Sequence, residues 1–344
     1  MRREWFGPAR WACLALLIAL TGCAPGIASR LEEHRPAAIL DDAFIMQDGA
    51  RLPYLSWTSA RPPTAAVIAL HGFNDYSGAY GDLGPLLARH GLLVYAYDQR
   101  GFGGTSMRGD WAGTEAMTGD LGTVTELLRA AHPGLPIYAL GESMGGAVIM
   151  TALAGDTPPR LDGAVLSAPA VWGRSTMAAW KRFILTLAAH TVPRIRVQPQ
   201  RLPRPPSDNI EMLRKLYHDP MMIKETRIEV AWGLSGLMDE ALASSPKISV
   251  PLLVLYGEQD GIIPRGPTCR MLETLPDGGA SGRHWRVALY ENGYHMLFRD
   301  LHGDLVSADI AAWLGDPAVA LPSGAEIASL IGARPLPVFC HQSD

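Results

Sequence analysis

"YALGESMGGAVIM", residues Tyr138–Met150, passes from a β-forming apolar run, through a serine fenced by glycines, into small apolar residues that suit a helix. Gly141 and Gly145 stand two residues either side of Ser143, where strand gives way to helix. Two readings compete. Either the chain needs a tight turn with small neighbours, or it holds the serine up as a nucleophile. In a chain with 36 glycines the G-x-S-x-G pattern is weak by itself. Its setting strengthens it, because a sharp turn between a strand and a helix presents a serine hydroxyl at the end of a sheet.

Working outward, the neighbouring segments repeat the same alternation. "AAVIALHG" (65–72), "LLVYAYD" (92–98), "PIYALGE" (136–142), "LDGAVLSAP" (161–169), "PLLVLYGEQD" (251–260) and "WRVALYENGYH" (285–295) are continuous apolar runs with loop residues at their ends. Such runs mark strands buried on both faces. Residues 41–57 add two strands about the Asp48-Gly49 turn. Helix-spaced leucines lie in 80–91, and further helical stretches in 115–131, 145–155 and 304–315. The pattern predicts an α/β fold: a mostly parallel eight-stranded sheet flanked by helices. It breaks over 171–245, which lacks strand signals and is rich in Trp, Met and Leu. That stretch is expected to be a helical cap inserted after the sixth strand. The core is then 41–170 plus 246–316, and 317–344 is a tail without an assigned role.

A serine hydroxyl needs a base to take its proton. Asp260 follows the strand "PLLVLYGEQ" and His295 follows "WRVALYENG". Both fall at C-terminal strand ends, where open α/β sheets place their functional crevice. The chain order Ser143, Asp260, His295 is that of nucleophile, acid and base. The bland alternatives are a turn serine, a turn-forming Asp before Gly261 and a surface histidine. Each is plausible singly; together, in that order and at those ends, they are not. Glu258 competes for the acid role, but Asp260 is better placed before "GIIP". The oxyanion formed on attack needs fixed donors. Met144 N–H, next after the nucleophile, is one; Phe73 N–H, in the loop "HGFNDYSGAY" (71–80), is the other. His71 is read as shaping that loop. The remaining histidines show no metal-ligand spacing, so no metal or cofactor is expected.

"HGFNDYSGAY", "DQRGFGGT", "GESMGGA", "LYGEQDGIIP" and "ENGYHMLFRD" resemble the successive motifs of α/β-hydrolases. They are similar more narrowly to the monoacylglycerol lipase and lysophospholipase branch, whose domain definition is shared with serine aminopeptidases. The resemblance covers about 45–315 and includes "YHDPMM" (217–222) in the cap. It implies hydrolysis of a carboxylic ester carrying a single acyl chain. This chain departs from the branch at Asn74-Asp75-Tyr76, where Gly-Glu-His is usual, and at Phe102, where His is common. Cap residues Trp172, Trp180, Phe183, Met212, Met221, Met222, Trp232 and Met238 could line an acyl channel or form the cap's own small core. Arg194, Arg196, Arg201 and Arg204 face lipid headgroups on one reading and solvent on the other.

The N-terminus reads as an export signal. Arg2 and Arg3 precede the short apolar run Trp11–Leu20, and Leu20-Thr21-Gly22-Cys23 resembles a bacterial lipobox. The resemblance implies a signal peptide over 1–22 and lipidation of Cys23, the alternatives being an ordinary signal peptide cleaved nearby or an uncleaved anchor; the Pro/Ala/Arg/Glu-rich stretch that follows reads as a tether over 23–40. Ala24, not Asp, follows the cysteine; by resemblance to proteobacterial lipoproteins this implies the outer membrane, facing the periplasm, over retention in the inner one. Of four cysteines, Cys269 and Cys340 remain for the folded part, either as a disulfide tying down the tail or as two buried thiols. A net charge of −4 gives no reason to expect nucleic acid as a partner. Besides a lipid esterase, three readings stay open: a short-chain carboxylesterase, an amidase of the aminopeptidase type, and a non-catalytic lipid-binding envelope lipoprotein.

Overall fold

A computed structural model describes residues 35–198, 204–276, 285–327 and 338–341. The expected signal peptide, Cys23 and the first part of the tether lie outside the described residues, as do Arg201 and residues 328–337 and 342–344 of the tail.

In chain order the elements are β1 (Ala38–Ile39), β2 (Ala43–Ile45), β3 (Arg51–Trp57), β4 (Ala65–Leu70), α1 (Leu83–Arg89), β5 (Leu92–Tyr97), α2 (Thr114–Ala131), β6 (Ile137–Glu142), α3 (Met144–Leu153) and β7 (Gly163–Ser167). After β7 come α4 (Ala179–Thr191), β8 (Arg196–Val197), α5 (Ile210–His218), β9 (Thr226–Arg227) and α6 (Ile228–Ser244). Then β10 (Leu252–Gly257), α7 (Arg265–Thr274), β11 (Trp285–Tyr290) and α8 (Gly303–Gly315) complete the described order.

The main sheet runs β1-β2-β3-β5-β4-β6-β7-β10-β11. From β5 to β11 every pairing is parallel, while β1, β2 and β3 add an antiparallel edge. The eight expected strands are all present. The sheet has nine because Ala38–Ile39, within the segment read as tether, pairs with Phe44–Ile45. Arg35 N–H also donates to Gln47 O at 2.8 Å, so the chain is already held to the sheet from residue 35. With that edge strand counted, the cap follows the seventh strand, which is the sixth of the eight expected. Within the cap, β8 and β9 form a separate two-stranded ribbon.

Side chains of β4 show why the parallel strands are apolar throughout. Ala66, Ile68 and Leu70 enter one core cluster, and Ala65, Val67 and Ala69 the other. The period of two sends alternate residues to opposite faces, and both faces are covered. The first cluster lies with α2, α3 and α6, the second with α1 and α8. Cap helix α6 lies against α3, the helix that follows Ser143.

The tail has a structural role. Glu326 bridges to Ala288 of β11 and its carboxylate holds Arg286. Cys269 and Cys340 form a disulfide with Cα atoms 5.6 Å apart, and Phe339 stacks on Tyr256 of β10.

Candidate active site

Ser143 sits between β6 and α3 with φ 51° and ψ −112°, a region that non-glycine residues occupy only under constraint. The constraint is visible. Ser143 N–H donates to Ser167 O at 2.9 Å, and its carbonyl accepts from Ala147 N–H (3.1 Å) and Ala170 N–H (2.9 Å). The glycines answer the opening question sterically. A Cβ on Gly141 would lie 2.5 Å from the backbone of Gly145 and Gly146, and one on Gly145 would lie 2.1 Å from Leu70 O. Only glycine lets the chain reverse this sharply against β4. The turn needs small neighbours because it holds a strained serine, so the two competing readings merge into one.

β7 and β10 bridge this turn to the other two residues. β6 pairs with β7, β7 with β10 and β10 with β11, all parallel, so their C-terminal ends share one edge. Asp260 leaves β10 there and His295 leaves β11. Their loops are laced together: Glu258 N–H donates to Tyr290 O (3.0 Å) and Gln259 N–H to Gly293 O (2.9 Å). His295 Nδ1 lies 2.8 Å from Asp260 Oδ2. The other oxygen, Oδ1, accepts Ile262 N–H (2.7 Å) and Ile263 N–H (3.0 Å). Both residues are buried, whereas the competing Glu258 is exposed. Burial alone would lower the His295 imidazole. The Asp260 carboxylate beside it, with Glu142 further off, outweighs burial and Arg299, and leaves it above its usual 6.5.

Phe73 lies on the loop after β4, alongside Ser143. A Cβ built on Gly72 would be 3.6 Å from Ser143 Cβ. Asn74, with φ 64°, turns the chain immediately after Phe73. Met144 is the first residue of α3, where a backbone N–H has no carbonyl of its own helix to bond. His71 is wholly buried. Gln99 N–H points at its Nε2 (3.0 Å), so that nitrogen is the acceptor, and Nδ1–H donates to Gly72 O (2.8 Å). Burial lowers its pKa; it is a neutral ring that shapes the loop.

The departures at 74–76 have clear contacts. Asn74 Nδ2 donates to Thr226 Oγ1 of the cap (2.8 Å), and Tyr76 OH to Asp219 Oδ2 (2.8 Å). Asp75 turns inward and accepts from Arg299 Nη1 at 2.8 Å, while Arg299 Nη2 donates to Glu142 Oε2 at 2.5 Å. Neither motif nor periodicity in the sequence marks this last group. Its trace there is a single charge, Arg299, closing the otherwise apolar "MLFR" (296–299) after His295. A second connection joins the cap to the histidine loop. Buried Asp300 accepts Ser207 Oγ–H (2.6 Å) and Tyr294 N–H (2.7 Å), and burial pushes its carboxyl up to about 6.

The cap residues divide. Trp172 and Met238 pack against the core. Trp180 and Phe183 are 63% and 67% exposed, so these two do not line an interior channel. With Ile184 and Leu187 they form an apolar outer stripe on α4. Arg196 is exposed, and Arg204 donates to Glu258 O at 3.3 Å. A cavity of about 400 Å³ opens between the start of α2 and α6, lined by Trp111, Glu115, Glu229, Trp232 and Glu240 among others. Among the described residues no cluster of three His, Cys, Asp or Glu could hold a metal ion, and no helix is long and apolar enough to cross a membrane.

Sheet order, strained serine turn and buried acid–histidine pair define a serine hydrolase of the α/β-hydrolase fold. A family model described as serine aminopeptidase, S33, matches residues 61–302, and the chain belongs to that family. It is 27% identical over 279 residues to a monoacylglycerol lipase of Mycolicibacterium smegmatis, covering 80% of this chain and 96% of that one. It is 26% identical over 262 residues to human monoglyceride lipase, covering 75% and 84%. In fold it matches a solved monoacylglycerol lipase of Paleococcus ferrophilus with a TM-score of 0.65, at 23% identity, over 77% of this chain and 98% of that one. With these relatives, the enzyme is a serine ester hydrolase.

Proposed function

We propose that this enzyme hydrolyses the carboxylic ester of a single-chain lipid, a monoacylglycerol or a lysophospholipid, through an acyl-enzyme on Ser143. His295 Nε2 takes the Ser143 proton as Oγ attacks the carbonyl carbon. The oxyanion is met by the N–H groups of Phe73 and Met144. Collapse breaks the ester C–O bond, and the proton on His295 passes to the departing alcohol. Water, deprotonated by the same imidazole, then releases the fatty acid. Asp260 holds the ring with its proton on Nδ1 and stabilises the imidazolium. The observation that carries this reading is the 2.8 Å His295–Asp260 contact at the sheet edge that also holds the strained Ser143. The lipid assignment leans on the relatives and on the outer apolar stripe of α4.

An amidase acting on a free amino terminus needs an anionic anchor in the cap. Of the two cap carboxylates available, Asp239 is engaged by Arg174 Nε (3.0 Å) and Ser175 N–H (2.8 Å), which weighs against it in that role, while Glu240 is exposed at the cavity between α2 and α6 and is the one left for it. The proposal extends to location: lipid on Cys23 would hold the enzyme to the periplasmic face of the outer membrane. Labelled palmitate is then incorporated by the parent chain and not by Cys23→Ala.

The test of substrate class uses the full chain in detergent against 1-monoacylglycerols, a lysophospholipid and p-nitrophenyl esters of increasing length. Long-chain lipid turnover at least about tenfold above that of acetyl esters is expected, since each added CH₂ that is buried contributes ~0.8 kcal/mol. Turnover of short esters alone would discard the lipid assignment, and no turnover would favour lipid binding without catalysis. A pH profile gives a separate check. Only neutral His295 can accept a proton, and its pKa is raised, so kcat/KM falls as pH drops through a value above 6.5. An acid limb below 6.5 would contradict this assignment.

A further inference from the structure

The proposed reaction needs three loops in register: the one bearing Phe73, the turn bearing Ser143 and the segment bearing His295. They come from separate parts of the chain, and one side chain touches all three. Arg299 ends the short 3₁₀ turn Leu297–Arg299 that follows His295. Its guanidinium reaches Asp75, 224 residues away, and Glu142, 157 residues away. Asp75 lies two residues beyond Phe73, and Glu142 immediately precedes Ser143. The loops also meet directly, since a Cβ on Gly72 would lie 3.6 Å from both Glu142 Oε2 and Ser143 Cβ.

All three charged residues are buried: Asp75 is 2% exposed, Glu142 1% and Arg299 8%. Such a group is a poor way to gain stability. Desolvating the ions costs about as much as their attraction returns, and apolar replacements often fold as well or better. What the group does supply is geometry. A planar guanidinium has donors at fixed angles and can hold two carboxylates at set positions, which a lysine ammonium cannot do.

We propose that Arg299 is a positioning residue: its two carboxylate contacts set the Phe73 loop and the Ser143 turn relative to the His295 segment. This rests on the serine ester hydrolase reading and on the roles given above. Glu142 and Asp75 are its two levers, each one or two residues from a reacting group. Displacement of an oxyanion donor by about 1 Å costs about 10²-fold in rate.

The test uses the purified full chain in detergent, a soluble p-nitrophenyl ester and fluorophosphonate labelling of Ser143. Arg299→Lys keeps the charge and loses the fork. It is expected to remain folded, with KM within about threefold and kcat lower by about 10²-fold. The triple variant Asp75→Asn, Glu142→Gln, Arg299→Met removes all three charges together, which avoids stranding one of them. It is expected to melt near the parent temperature and to lose kcat as strongly as Arg299→Lys. A folded variant with kcat within about threefold of the parent would overturn the inference. So would a rise in KM with kcat unchanged, which marks substrate binding. Unfolding of both variants would reduce the group to a structural role and overturn it as well. If the parent is labelled by the fluorophosphonate but cleaves no ester, the ester reading fails on its own. The labelling rate then judges Arg299, and an equal rate in folded Arg299→Lys would count against it.

Discussion

Ser143→Ala is expected to lower kcat by about 10⁶-fold, leaving only the slow turnover that binding and fixed oxyanion donors support. That factor corresponds to about 8 kcal/mol of barrier. The loss falls in kcat because Oγ makes its bond during the reaction, and KM should change little. The fold should survive. The turn is held by backbone bonds from Ser143 N–H to Ser167 O and from Ala147 and Ala170 to the Ser143 carbonyl, all independent of the hydroxyl. Alanine also meets the positive φ with the same Cβ as serine. Steady-state hydrolysis, fluorophosphonate labelling and a thermal melt on the same preparation check this. Residual ester cleavage near the parent rate, in a folded and unlabelled variant, would mean that the nucleophile lies elsewhere.

Asp260→Asn should cost about 10⁴-fold in kcat, the effect this substitution has in a serine–histidine–aspartate triad. The geometry explains why it is so large. Oδ1 of Asp260 already accepts two backbone N–H groups, from Ile262 and Ile263. An asparagine would keep its oxygen there, as the acceptor, and turn its NH₂ toward His295. The ring must then offer Nδ1 as an acceptor and carry its proton on Nε2, where it cannot take one from Ser143. The Asp260 carboxylate that raises the imidazole is also gone, so any residual activity should keep its acid limb at a lower pH than the parent. An unchanged limb, or a loss smaller than about tenfold, would move the acid role to another carboxylate. Glu258 would be the first to test, though it is exposed and lies two residues from the contact.

Most of the fold is legible in the sequence. Strands buried on both faces write themselves as unbroken apolar runs, and β4, β5, β6, β7, β10 and β11 read that way. The edge strand Ala38–Ile39 did not, because two residues carry no period and the pairing depends on where β2 lies. The serine turn was legible because its glycines are a local steric demand, set by neighbours four residues apart and by Leu70 O. The outward face of α4 was not. Trp180 and Phe183 have the same apolar character whether they line a channel or face solvent, and only the packing of α4 distinguishes the two.

What the sequence determined by itself is what periodicity and local sterics encode: the alternating α/β plan, the glycine-flanked serine, and an aspartate and a histidine at later strand ends in the order of an α/β-hydrolase. Tertiary structure decided everything that depends on distance across the sheet. It brought Asp260 rather than Glu258 to His295, since one residue points inward at the β10 turn and the other outward. It joined Cys269 to Cys340. It also gathered Asp75, Glu142 and Arg299 from three distant parts of the chain into one buried group. Long-range charge pairing leaves no period in a sequence, because its partners are chosen by the folded path of the backbone.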